Sequence, residues 1–136
     1  MGKRSTGRKL AMQILYQADI RATEVDKVVS YFWEVHKFES DTIEWANDLS
    51  MKTWIHRDKI DPIIEKMAIG WDFDRLNPID KAILRLAFYE LIYEDISPSI
   101  IINEAVEICK KYSSDDSPRF VNGILGQYVK QCSQAS

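Results

Sequence analysis

"PIDKAILRLAFYELIY", Pro78–Tyr93, is the stretch on which the fold turns. On a helix of 3.6 residues per turn its apolar residues cover most of the circumference, and such a helix lies in the middle of a protein. Glu90 then falls between Ile79, Ile83 and Leu86. A lone carboxylate there is expensive, so a structural ion pair or hydrogen bond is expected for it rather than catalysis. Lys81, Arg85 and Phe88 cluster on the remaining arc, which reads as the exposed strip of a buried helix. That strip is a candidate contact surface, and equally a row of solvated charges.

Working outward from this helix, nearly every segment repeats with helical period, and no alternating Val/Ile/Thr pattern supports a strand. The pattern predicts helices over about Ser5 to Arg21, from near Thr23, from Ser40–Asp41, over about Arg57 to Ile69, Ile79 to Tyr93, Ser99 to Tyr112, and Pro118 to about Lys130. Thr23 and Asp26 resemble a capping box. Pro62 is expected in the first turn of its helix, because deeper placement costs about 3 kcal/mol. In the sixth helix, Glu107 and Lys111 are spaced as an i,i+4 pair. The expected architecture is all-α, one compact bundle of about seven helices over residues 1–136, with a basic N-terminal arm to about residue 9 and a polar tail from about 131.

Composition agrees. A chain of 136 residues with 46% hydrophobic residues buries the core of one domain, and five glycines with four prolines leave few breaks. No apolar run approaches the roughly 20 residues that cross a bilayer, so no membrane role is expected. Two cysteines give no disulfide framework, and a reducing cytoplasm is the simplest home. Cys109 falls on an apolar helix face and Cys132 in the polar tail. His36 and His56 are isolated, no His/Cys cluster has metal-ligand spacing, and no cofactor is expected. The net charge of −3 excludes a general polyanion binder, but it is unevenly spread. Residues 1–22 hold Lys3, Arg4, Arg8, Lys9 and Arg21 against Asp19, whereas the remainder holds 13 bases and 20 acids. A basic arm on an acidic body suits local contact with phosphate or with an acidic partner.

The start of the last helix is dense in special residues. In "DDSPRFVNGIL", Asp115–Leu125, Ser117 and Pro118 read as N-cap and first helical position. Val121, Ile124, Leu125 and Tyr128 form the core stripe, Phe120 lies at its edge, Arg119 points away, and Gly123 would admit a neighbouring backbone. An arginine and a marginal ring at a helix start suit single-stranded RNA, the ring stacking on a base and the cation meeting phosphate. Phe120 as core, with capping acids, is the plainer alternative. Tyr16 lies off the apolar stripe of the first helix, on the face of Lys9, and suits stacking, a partner protein or a core boundary.

Four stretches, taken in order, resemble one known family. They are "RKLAMQILYQ", "WDFDRLNPIDKAILRLAFYEL", "INEAVEICKKY" and "DDSPRFVNGIL", spanning Arg8 to Leu125. Together they are similar to NusB, the bacterial transcription antitermination family. The resemblance implies a seven-helix fold and a non-enzymatic role. It implies binding of boxA RNA jointly with NusE, a protein of the small ribosomal subunit, in an antitermination complex on RNA polymerase that serves ribosomal RNA operons. Carried over by position, the RNA residues are Lys3, Arg4, Arg8, Lys9, Tyr16, Asp116, Arg119, Phe120 and Asn122. The NusE side falls on Tyr16, Asp80, Lys81 and Arg85. Ser5, Thr6 and Gly7 interrupt the arm, which implies fewer phosphate contacts and a shallower salt dependence. Two other readings remain: a helical protein-interaction module without RNA selectivity, and a relative of the N-terminal domain of RNA cytosine methyltransferases. The sequence has no glycine-rich cofactor loop after a strand to support the second as an enzyme.

Overall fold

The computed structural model describes residues 2–135, so the first residue of the arm and the last of the tail lie outside it. Seven α-helices follow one another: α1 Lys3–Ile20, α2 Val25–Val35, α3 Ser40–Ile55, α4 Arg57–Met67, α5 Pro78–Tyr93, α6 Pro98–Tyr112 and α7 Ser117–Ala135. A short 3₁₀ turn, Phe73–Arg75, separates α4 from α5. No strand occurs among the described residues.

The central helix is the one that its sequence marked. Every residue of α5 from Asp80 to Glu90 is buried, and the helix packs against α1, α3, α4, α6 and α7. Asn77 caps it, its side-chain oxygen accepting the Ile79 N–H at 2.8 Å, with Pro78 in the first turn. Around α5, the first three helices form one group and α6 with α7 another. The α7 stripe of Val121, Ile124 and Leu125 is buried as expected, and Tyr128 meets Phe88 edge-on at 4.9 Å.

Several local expectations are corrected. Thr23 and Asp26 do not close a capping box; Glu24 is the N-cap of α2, without a side-chain cap bond. The preceding turn is instead closed by backbone bonds from Thr23 to Ala18 and from Ala22 to Asp19, the pattern of a Schellman C-cap, with Ala22 at a positive φ of 51°. Pro62 stands in the second turn of α4, not the first, because the helix already starts at Arg57. Glu107 pairs with Lys110 at 3.4 Å rather than with Lys111. The tail is the end of α7, and the arm from Lys3 onward is the first two turns of α1.

Gly123 has open space around it, whereas the glycine that a close approach requires is Gly7. A Cβ there would lie 2.4 Å from the Trp45 ring, so α1 and α3 meet at a point where only a hydrogen fits.

Candidate nucleic-acid interface

Because the arm is helical, its cations point in different directions. Lys3 bonds Asp41 and lies 3.7 Å from Glu39, at the start of α3. Its pKa is raised by the hydrogen bond and charge of Asp41. Arg4 is exposed but lines a recess with Asp48, Lys52 and Glu94, on the side of α3 and the α5–α6 connection. Lys9 faces the other way, into a groove of about 650 Å³ between α1 and α6 that it shares with Ser5, Asn103, Glu104, Lys110 and Lys111.

Arg8 is a correction. Expected as an RNA cation, it is 4% exposed and forms a fork on Glu90, with Nε and Nη2 at 2.8 and 2.9 Å from the two carboxylate oxygens. Its Nη1 reaches Glu104 at 3.0 Å, and its guanidinium lies over the Trp45 ring at 5.4 Å. Burial alone would lower its pKa, but hydrogen bonds and charge from Glu90 and Glu104 outweigh burial and raise it. Arg8 is therefore the buried partner that Glu90 required, and it ties α1 to α5 and α6.

The strip of α5 is corrected likewise. Lys81 and Arg85 are 8% and 5% exposed, because the Phe73 ring lies over both, at 4.6 and 5.7 Å from their cationic centres. Arg85 forks onto Asp61 at 2.8 Å and reaches Asp19 at 3.3 Å. Desolvation opposes its charge, yet Asp61 and Asp19 keep its pKa raised. These side chains brace α1 and α4 against α5 and present no free contact strip.

Asp80 is buried as well, and it explains the serines of the α6–α7 turn. Ser113 and Ser117 donate to its two oxygens at 2.6 and 2.8 Å, and both Ser113 and Ser114 lie 2.8 Å from the Ser117 hydroxyl. Ser117 thus serves as a latch to α5 rather than as a side-chain cap of its own helix. The latch fixes the first turn of α7, where Arg119 is exposed and Phe120 is half-buried. Phe120 is not sealed in the core, for it borders a cleft of about 440 Å³ with Trp71, Leu76, Asn77, Asp116 and Arg119. Asn122 is exposed in the next turn of α7, outside the cleft lining, and Tyr16 is half-buried against the core.

Lys110 and Lys111, near the end of α6, line the α1–α6 groove, and Ser114, in the connection that follows, lines the cleft beside Phe120. Of the cations in the arm, only Lys9 belongs to that groove. Lys110 and Lys111, which the sequence reading did not single out as site residues, line the groove; the signal was a doublet of cations just ahead of the serine-rich turn. No group of three or more His, Cys, Asp or Glu among the described residues could hold a metal ion, and no helix is long and apolar enough to cross a membrane.

Comparison with known proteins agrees with this fold. The NusB family model matches residues 5–130. The transcription antitermination protein NusB of Symbiobacterium thermophilum is 39% identical, with 93% of this chain and 89% of the relative aligned. That of Nitratiruptor sp. is also 39% identical, over 100% and 98%. Among solved structures, a complex of antitermination factors NusB and NusE with dsRNA superposes with a TM-score of 0.86 at 30% identity, covering 96% of this chain and 98% of that one. The solution structure of NusB from Aquifex aeolicus gives a TM-score of 0.85 at 31% identity, covering 100% and 93%. With the helical order, the four sequence stretches and these matches in agreement, the chain belongs to the NusB family of transcription antitermination proteins.

Proposed function

We propose that this protein binds single-stranded boxA RNA together with NusE and helps carry an antitermination complex on RNA polymerase, in the cytoplasm, through ribosomal RNA operons. Membership of a non-enzymatic family fits a chain whose charged residues are spent on structure and surface. The observation that carries the reading is the cleft beside Phe120, with exposed Arg119 on its rim and the lysines of the α1–α6 groove a few residues before it in the chain. Lys9, Lys110, Lys111 and Arg119 supply cations for the phosphate backbone, and Phe120 offers a ring edge and face to an unpaired base. Asp116, exposed at the same turn, accepts from base amino groups, and Asn122 lies within the next turn of helix. Lys3 and Arg4 face α3 and contribute at most long-range field.

Lys81 and Arg85 are buried, Arg85 forked onto Asp61 and Lys81 under the Phe73 ring, which disfavours both as NusE contacts. Tyr16, half-buried on α1, remains the residue proposed for that side. The solved NusB and NusE complex with RNA supports a joint grip by the two proteins. Reciprocal linkage then requires that NusE raise RNA affinity by the same factor by which RNA raises NusE affinity.

The test is an anisotropy titration of boxA RNA against the protein with NusE, alongside a scrambled RNA. Phe120→Ala is expected to weaken boxA binding by about 1–3 kcal/mol. Equal affinity for the two RNAs, with NusE still bound, would leave a protein-interaction module in place of an RNA reader.

A further inference from the structure

Resting on the RNA-binding reading, we infer that Trp71 is the stacking platform of a seat for a single unpaired nucleobase, with Phe120 as its side wall. Trp71 is a large apolar side chain left 61% exposed, in the turn after α4. Gly70 makes that turn possible with a φ of 85°, and a bond from the Trp71 N–H to the Ala68 carbonyl at 3.0 Å closes it. The indole is thereby brought to the start of α7, where its centroid lies 5.1 Å from that of Phe120 with the planes at 57°.

At that separation no base fits between the two rings, so a base lies on the free face of Trp71 and abuts Phe120. Buried Leu76 contributes the apolar floor. The rim is polar on both counts a base edge needs. Asn77 has its side-chain oxygen committed to the Ile79 N–H, which leaves its amide NH₂ to donate. Asp116 is exposed and accepts. Asp80 and Asp116 both border the cleft, and two carboxylates repel a phosphate. Arg119 stands beside them as the cation for the backbone. The charge pattern thus admits the neutral base and keeps the phosphate outside.

The test uses the full chain with NusE and a set of short boxA RNAs, each lacking one base. Trp71→Ala is expected to weaken binding to intact RNA by about 5- to 100-fold, the usual range for one stacked base. Trp71→Phe is expected to retain most of the affinity. For one RNA of the set, the missing base makes wild type and Trp71→Ala bind equally. If Trp71→Ala binds intact RNA like wild type while Phe120→Ala and Arg119→Ala are weakened, the inference about Trp71 fails and the RNA reading stands. A uniform loss across all the RNAs, or a loss of NusE affinity without RNA, also overturns it by making Trp71 a general or protein contact. If the wild type itself does not bind boxA RNA, both readings fall.

Discussion

Arg8 ties three helices together through one buried guanidinium. Its fork on Glu90 is buried at both ends, with the two side chains 5% and 2% exposed. Removing one partner of such a pair strands the other in a medium that penalises charge. Arg8→Ala is therefore expected to lower stability by about 3–5 kcal/mol, read from the midpoint shift in urea denaturation. Exposed pairs such as Lys52 with Asp48 are screened by water and are expected to contribute far less. Cys109 gives a prediction of a different kind. Burial pushes its thiol up from 9.0 to about 12. Because the folded value is the higher one, the unfolded chain ionises first as pH rises. The thiol's contribution is complete below about pH 9 and is lost between there and about pH 12. At pH 8 a thiol-reactive dye is expected to label exposed Cys132 quickly, and Cys109 only after denaturation. Two fast thiols in the folded protein would contradict the burial.

At the scale of elements, contacts between helices rest on small side chains and on turns. Gly7→Ala adds helix propensity worth up to about 1 kcal/mol but drives a methyl into Trp45. The clash wins, for overpacking of this kind costs about 1–3 kcal/mol, and a smaller residue at position 45 is expected to restore part of the loss. Differential scanning calorimetry of the single and double variants measures it. Ala22 holds a left-handed conformation that costs an L-residue about 1–2 kcal/mol, so Ala22→Gly is expected to raise the melting temperature. Along α6, Lys110→Ala or Lys111→Ala is expected to reduce the slope of log affinity against log salt by about 0.7, one single-strand phosphate contact. Arg4→Ala, on the opposite side of α1, is expected to leave it unchanged.

The helices themselves were legible in the sequence because periodicity reports one thing, the direction of burial. The stripes of α1, α5 and α7 and the need of Glu90 for a partner followed from it. The site was legible only in part. Arg8 reads as an arm cation because nothing local announces that a fork of carboxylates 82 and 96 residues away will enclose it. Lys81 and Arg85 read as exposed because a helical wheel cannot know that Phe73, in a connecting turn, folds over them. Ser117 reads as a cap until Asp80 claims its hydroxyl. In each case a long-range polar pairing overrode a local rule, and such pairings leave no period in the sequence.

At the scale of the whole molecule, an RNA strand meets an acidic body and is expected to settle where Lys9, Lys110, Lys111 and Arg119 offset it. RNA binding is expected to fall steeply with salt and NusE binding less so, since phosphate contacts carry the first and a half-buried tyrosine the second. Measuring both over a common salt series, in isolation and together, checks the reciprocity of the two partners.

The Arg8 clamp also has a consequence for how the chain comes into being. A ribosome delivers α1 first, but Glu90 follows Arg8 by 82 positions. At roughly 5–20 residues per second that interval lasts on the order of 4–16 seconds. Until it ends, the nascent segment carries an uncompensated guanidinium and an aliphatic stripe that α2 and α3 cover only in part. Translation halted before the fifth helix emerges thus yields a sticky, protease-prone stub, and the window for chaperone capture is set by elongation speed.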